Sequence, residues 1–497
     1  IRGPSDSALH SPLNLFEAAE QCQQLLALER ACRQVTLRRF AELRLQGALF
    51  LNISPQALLD PAFRPGETLG WMRAAGLSPE QVVIELTETR PVGDYALLRE
   101  ATAHYRDMGF RIALDDLGEG FSNLRLWSEL RPAEGGRVVL VGDEPHLPYD
   151  RPPLSKDVLH ADLDDVTLKP AEFYAENDIT LRLGSAARNV DTAAQTVTLA
   201  DGSVLGYDEL VIATGLVPRR IPSFPELDGI RVLRSLDDAL ALRGQASSAR
   251  NAVIVGAGFI GCEVAASLRK LGVAVVLVEP QPTPLASVLG EQVGALVTRL
   301  HRAEGVDVRT GVGVAEVRGQ DGRVTSVFLT DGTELDADLV IVGIGSRPAV
   351  DFLEGSGIAV DNGVVCDNVG RTSAEHVWAL GDVASWRDAT GHQARVEHWS
   401  NVAEQARVIV PAMLGQDATA AVVVPYFWSD QYDVKIQCLG EPKAGDTVHI
   451  VEDDGRKFLA FYERDGAVSG VVGGGMPGKV MKNRAKVAAA VPIADVL

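Results

Sequence analysis

Three glycines set the first chemical possibility. Gly256, Gly258 and Gly261 stand between an apolar run, Ala252 to Val255, and a stretch with helical patterning, Ile260 to Leu271. A strand that ends in such a turn and continues as a helix presents bare backbone N–H groups and the positive end of a helix dipole, which suits a dinucleotide diphosphate. Gly256 makes the tight turn, Gly258 lets backbone approach the diphosphate, and Gly261 lets the helix pack closely on the strand. Glu279 follows the next apolar run, Ala274 to Val278. A carboxylate there accepts hydrogen bonds from a ribose 2′-hydroxyl and repels a 2′-phosphate. The pattern predicts a nicotinamide site that prefers NADH to NADPH. A packing turn without a ligand is the alternative that glycines alone leave open.

Further polar and glycine residues lie beyond other runs that read as strands. The Pro-rich segment Glu144 to Lys156 follows Val138 to Val141, and Ala213-Thr214-Gly215 ends the run beginning at Glu209. Gly343-Ile344-Gly345 follows Leu339 to Val342, Gly381-Asp382 follows the run from Val377, and Trp399 precedes a helical stretch, Asn401 to Met413. Ligands of open α/β sheets bind at the carboxyl ends of strands, so these are the positions to expect chemistry. From Val424 the pattern changes to short alternating strands, Thr447 to Val451, Lys457 to Tyr462 and Val468 to Val472, then a helix over Gly478 to Ala490.

Composition narrows the classes. A chain of 497 residues needs three or four domains, and 46% hydrophobic with 23% charged residues is ordinary for a globular protein. A net charge of −20 opposes general binding to nucleic-acid polymers or anionic membranes, while allowing a local basic docking patch. The five cysteines, Cys22, Cys32, Cys262, Cys366 and Cys438, form no C-x-x-C pair, so a dithiol redox centre, a zinc knuckle or a disulfide framework is not expected. No apolar run reaches membrane-spanning length, and a cytoplasmic enzyme is expected. The start at Ile1 instead of methionine reads as the interior of a longer reading frame.

The segment Gly142 to Lys156 (GDEPHLPYDRPPLSK), followed in order by Ala213-Thr214-Gly215, Leu380-Gly381-Asp382 and Glu397-His398-Trp399, closely resembles the putidaredoxin reductase-like flavoproteins, the ferredoxin reductases of bacterial oxygenase systems. The resemblance covers residues 136 to 497. It implies FAD and NAD as cofactors, with Glu144 on the adenosine ribose, Arg151 and Lys156 at the flavin, Asp382 on the ribityl chain and Trp399 near the isoalloxazine edge. It also implies that Ala213, Thr214, Gly215, Gly345 and Gly381 line the cofactors and that Glu263 pairs with Lys156. A cation beside the flavin stabilises the reduced anionic ring, and an aromatic side chain shields it from water. Without C-x-x-C, electrons would pass from NADH through flavin directly to a ferredoxin-type iron–sulfur protein. Lys479, Lys482, Arg484 and Lys486 are the candidate docking patch, or else simply a solvated helix face.

Residues 1 to 132 resemble an internal part of EAL domains, the TIM-barrel phosphodiesterases of cyclic di-GMP. The matching pieces are Ile1-Arg2-Gly3-Pro4, Asn52-Ile53-Ser54-Pro55, Glu85-Leu86-Thr87-Glu88 and Asp115-Asp116-Leu117-Gly118. The resemblance implies ligands for magnesium or manganese at Asn52, Glu85, Asp115 and Asp116, with Glu88 supporting the loop after the aspartates. The eponymous Glu-Ala-Leu and the last barrel strands are absent, so an incomplete metal shell is expected. Helices over Leu15 to Leu45, Thr68 to Ala75 and Tyr95 to Met108 alternate with strands Ala48 to Ile53, Val82 to Leu86 and Arg111 to Leu114.

The glycine fingerprint that would open the flavin domain is also absent. Arg111 to Asp116, Gly118 to Asn123 and helical Leu124 to Leu130 could supply that strand, turn and helix. Asp115, Asp116 and Glu119 would then set negative charge near a diphosphate and impair flavin binding.

The expected fold class is α/β: two doubly wound Rossmann-like dinucleotide domains and a C-terminal α/β domain, preceded by a partial β/α (TIM-type) barrel fragment. The expected boundaries are 1–132 for the EAL-like fragment, 133–245 with 371–414 for the flavin domain, 246–370 for the nicotinamide domain and 415–497 for the C-terminal domain. The alternative function is a degenerate EAL module, binding cyclic di-GMP, fused to an inactive reductase.

Overall fold

The computed structural model describes residues 25–43, 49–53, 67–87, 111–115, 137–161, 165–388, 391–416 and 424–497, with a few single residues besides. The chain divides into two compact units, 1–122 and 123–497.

In the first unit, strands Leu49–Ile53, Val82–Thr87 and Arg111–Asp115 form a parallel sheet in chain order. Parallel neighbours require a crossover, and the helix Glu67–Ala75 lies between the first two. It packs on the helix Leu25–Glu42, which lies within the expected Leu15 to Leu45, with Leu37 and Met72 buried. The expected helix Tyr95 to Met108 lies outside the described residues. Arg111–Asp115 pairs in parallel with Val82–Thr87, and Val138–Val141 with Ile179–Arg182. The turn and helix expected to follow Arg111–Asp115 and open the flavin sheet, Gly118 to Asn123 and Leu124 to Leu130, lie outside the described residues.

The second unit is built around a five-stranded parallel sheet with strand order Ile230–Arg231, Leu339–Val342, Asn251–Val255, Ala274–Glu279, Asp307–Thr310. Ala252, Val253, Ile254, Leu339 and Val340 are fully buried, the continuous apolar run of a strand covered on both faces. The helices Phe259–Lys270 and Ala286–Ala303 contribute Cys262, Val264, Leu268, Leu289 and Val297 to the same core. Beside this sheet, Val138–Val141 pairs in parallel with Ile179–Arg182, and Leu210–Ile212 with Val377–Ala379. Strands far apart in sequence thus end side by side, which brings the loops after residues 141, 212 and 379 to strand carboxyl ends.

The C-terminal segment forms a five-stranded antiparallel sheet, ordered Tyr426–Gln431, Val434–Gly440, Ala467–Gly474, Phe458–Arg464, Thr447–Asp453. The single helix expected over Gly478 to Ala490 is instead two short ones, Pro477–Met481 and Arg484–Ala488. Asn483 breaks it: its side-chain amide caps the Lys479 carbonyl at 2.9 Å, and the two pieces each bury one valine, Val480 and Val487, on the sheet. No helix among the described residues is long and apolar enough to cross a membrane.

Candidate active site

The nicotinamide turn has the shape its glycines require. Gly256 has a φ of 101°, and a Cβ there would stand 2.3 Å from the carbonyl oxygen of Gly343, at the end of the neighbouring strand. A Cβ on Gly261 would stand 2.1 Å from the carbonyl oxygen of Gly256, so the helix seats against the turn only without a side chain. Gly258, the residue before the helix, and Gly345 face open space within 4 Å of their missing Cβ atoms. Bare backbone beside a helix N-terminus is a cradle that fits a diphosphate. Glu279 closes its strand and accepts from the backbone N–H groups of Ala257 at 2.7 Å and Gln281 at 2.9 Å, which holds its carboxylate at the mouth of the turn.

The same helix carries Glu263, a residue only 3% exposed. Its Oε2 accepts from Lys156 Nζ at 2.8 Å and from the Ser155 hydroxyl at 2.5 Å; its Oε1 accepts from the Ser429 hydroxyl at 2.8 Å. A buried carboxylate is tolerated when paired and fully hydrogen-bonded, and both conditions are met. Lys156 also donates to the Pro152 carbonyl at 3.0 Å. The prolines of Arg151-Pro152-Pro153 hold a short 3-10 turn that presents Ser155 and Lys156 together.

A second polar group gathers around Glu144. Arg151 Nη2 donates to one carboxylate oxygen at 2.6 Å and the Tyr149 hydroxyl to the other at 2.5 Å. Burial pushes the Glu144 carboxyl up, but these two donors outweigh it and hold it below the ordinary range. Arg151, expected at the flavin, is therefore engaged by Glu144 and by the Arg234 carbonyl at 2.8 Å. Asp382 follows the strand Val377–Ala379 and lies 3.6 Å from Arg234 Nη2. Burial raises its carboxyl above the usual value, opposed by the Arg234 charge. Trp399 begins the helix Trp399–Met413 and its indole N–H donates to Asp150 at 2.9 Å. Ala213 and Thr214 are exposed directly after buried Ile212, and Gly215 turns with a φ of 67°. Exposed small residues and polar groups at strand ends fit a flavin nucleotide on its adenosine and ribityl sides. The segment 116–136, where its diphosphate turn is expected, lies outside the described residues.

Several participants escape the sequence. Tyr149 and Asp150 sit inside the Gly142 to Lys156 motif, and that proximity was the available signal. Arg234, Arg395, Ser429, Gln431 and His301 carry no motif at all. Arg395 donates to the Asp382 carbonyl at 3.0 Å from 13 residues away in sequence. Of the expected docking cations, Lys479 is paired with Glu452 at 2.5 Å and Lys486 bonds the Asp495 carbonyl at 3.2 Å, while Lys482 and Arg484 are exposed.

Of the expected metal ligands, Asn52, Glu85 and Asp115 lie in the strands of the first unit. Asn52 stands opposite Glu85 in neighbouring parallel strands, and Asp115 opposite Thr87. Asp116 and Glu88, and the side chains of Asn52, Glu85 and Asp115, lie outside the described residues. Among the described residues no group of three or more His, Cys, Asp or Glu could hold a metal ion.

Known proteins match this chain in three stretches. The model described as pyridine nucleotide-disulphide oxidoreductase matches residues 117–406, that of the reductase C-terminal domain 426–496, and that of the EAL domain 1–134. A ferredoxin–NAD(P)(+) reductase from a Sphingomonas species is 39% identical over 340 residues, 67% of this chain and 82% of that relative. Rhodocoxin reductase from Rhodococcus erythropolis is 37% identical over 347 residues, 69% of this chain and 78% of the relative. Among solved structures, the covalent putidaredoxin reductase–putidaredoxin complex is similar with a TM-score of 0.71 at 33% identity, over 76% of this chain and 92% of that one. A ferredoxin reductase from Rhodopseudomonas palustris is similar with a TM-score of 0.71 at 33% identity, over 76% and 94%. With its glycine turn, its Lys156–Glu263 pair and these relatives, the chain belongs to the pyridine nucleotide-disulphide oxidoreductase family, among the ferredoxin reductases.

Proposed function

We propose that this chain is an NADH-dependent flavoprotein that passes electrons through FAD to a ferredoxin-type iron–sulfur protein, in the cytoplasm where NADH is available. The observation that carries this reading is the Lys156–Glu263 pair: the cation of the Arg-Pro-Pro-Leu-Ser-Lys segment lies 2.8 Å from an acid on the helix that opens at the nicotinamide turn. When bound, flavin supplies the exchange between a two-electron hydride donor and a one-electron acceptor.

The protein's own groups have distinct tasks in this reading. The helix dipole and the backbone N–H groups at the start of the helix Phe259–Lys270 hold the NADH diphosphate, while Glu279 accepts from the ribose and disfavours a 2′-phosphate. Glu144, fixed by Tyr149 and Arg151, takes the adenosine ribose of FAD, and Asp382 takes a ribityl hydroxyl. Lys156 contributes positive charge beside the ring, Trp399 excludes water from its edge, and exposed Ala213 and Thr214, with Gly215 and Gly381, let the cofactor approach backbone. The domain boundaries that go with this reading are 133–245 with 371–414 for flavin, 246–370 for nicotinamide and 415–497 for the C-terminal domain, with 1–132 an EAL-derived fragment.

The buried thiols Cys262, Cys366 and Cys438 are pushed up by burial, Cys366 to about 12, which suits packing and not redox work. The test is an anaerobic absorbance spectrum of the FAD-supplemented full chain. Flavin bands that bleach on NADH and return when an oxidised two-iron ferredoxin is added support the proposal. A protein that retains no flavin after supplementation refutes it. Titration with cyclic di-GMP and magnesium tests the EAL-like stretch separately.

A further inference from the structure

A line of buried side chains runs from the helix Ala286–Ala303, through the C-terminal sheet, to the Lys156–Glu263 pair. His301, Gln431, Ser429, Glu263 and Ser155 are each 3% exposed or less. Gln431 Nε2 donates to Ser429 Oγ at 3.2 Å, and Ser429 donates its own proton to Glu263 Oε1 at 2.8 Å. Gln431 Oε1 faces His301 Nε2 at 3.1 Å, and His301 Nδ1 faces the Tyr432 hydroxyl at 2.8 Å.

The directions follow from the chemistry of each group. An amide oxygen only accepts, so His301 Nε2 carries the proton. Burial lowers His301 to about 4, which keeps the ring neutral and leaves Nδ1 to accept from Tyr432. Every bond therefore points toward the Glu263 carboxylate, an alignment in which each donor polarises the next. Tyr432 itself has a φ of 61°, a left-handed conformation that a bulky residue adopts only when its surroundings impose it. That turn, between Tyr426–Gln431 and Val434–Gly440, delivers both Gln431 and Tyr432 to His301.

We propose that Ser429, Gln431 and His301 are positioning residues that fix the Glu263 side chain, so that Oε2 stays turned to Lys156 and Ser155. The carboxylate is held from two sides: by the C-terminal sheet at Oε1 and by the flavin-side segment at Oε2. Without the Ser429 hydroxyl it swings away, and Lys156 loses its partner. The consequence for turnover rests on the reductase reading; the geometry of the pair does not.

The test uses the full chain, without flavin and after loading with FAD, in the variants Ser429→Ala, Ser429→Cys and Gln431→Met. Acetylation of Lys156 by an N-hydroxysuccinimide ester is followed by mass spectrometry in the flavin-free protein. Loss of a charge-assisted hydrogen bond predicts a rate about tenfold higher for Ser429→Ala. Gln431→Met, one bond further from the carboxylate, gives about threefold. Ser429→Cys, isosteric with a weak donor, falls between wild type and Ser429→Ala, while Lys270 and Lys443 stay within about twofold of wild type. In the loaded protein, Ser429→Ala slows bleaching by NADH about tenfold, with KM for NADH within about twofold. Wild-type labelling of Lys156 in Ser429→Ala overturns the proposal, as does an increase shared by all three lysines. If NADH fails to bleach the wild-type flavin, the reductase reading falls while the labelling result still decides the positioning role.

Discussion

Glu263→Gln isolates the charge of the buried pair, because an amide keeps the shape of the carboxylate and can still meet the hydroxyls of Ser155 and Ser429. Lys156 is then left with its charge, a side chain 15% exposed, and the Pro152 carbonyl at 3.0 Å as an acceptor. Removing one partner of a buried ion pair costs about 3–5 kcal/mol. The residual exposure of Lys156 lets water recover part of this, which favours the low end, about 3 kcal/mol. At roughly 2 °C per kcal/mol for a unit of this size, the midpoint should fall by about 6 °C.

Lys156→Met leaves the carboxylate with two hydroxyl donors and should cost a similar amount. The double variant removes both charges, so its midpoint should lie only about 2 °C below wild type. Scanning calorimetry on all four flavin-free chains gives the cycle, and two single losses of about 3 kcal/mol against a double loss of about 1 kcal/mol make the expected coupling roughly 5 kcal/mol. A double variant that falls by the sum of the two singles would refute the reasoning, since independent losses mean that the two groups are not partners.

Three further outcomes are expected. Gly261→Ala forces a Cβ to within 2.1 Å of the Gly256 carbonyl, so the helix must shift off the turn; isothermal titration should show NADH affinity reduced at least about tenfold. Glu279→Gln removes the charge that repels a 2′-phosphate, and steady-state kinetics should show the preference for NADH over NADPH reduced about tenfold. Burial lowers both His301 and His398 to about 4. The unfolded chain therefore takes up protons first as pH falls, and stability is complete above about pH 6.5 and lost between about 6.5 and 4, at up to about 1.4 kcal/mol per pH unit for each histidine. His301→Gln should make the fall of the midpoint over that window shallower, and an unchanged slope would sink the assignment.

The amino-acid sequence by itself determined the nicotinamide turn. Strand, glycines, helix and Glu279 are neighbours in the chain, and local backbone geometry admits few other residues at Gly256 and Gly261. It also carried the flavin-side motif from Gly142 to Lys156, including the partners Tyr149 and Arg151 that lie within reach of Glu144. A helix predicted from Gly478 to Ala490 was read through Asn483, because helical periodicity does not reveal that its amide will cap Lys479 instead. Only the tertiary structure decided what surrounds Glu263. Ser155, His301 and the pair Ser429 and Gln431 come from three separate segments, and serine, glutamine and histidine have no preferred spacing when their role is to satisfy a buried carboxylate. That demand arises from desolvation once the chain has packed, so it is met by whichever polar residues the fold brings near and leaves no pattern along the sequence.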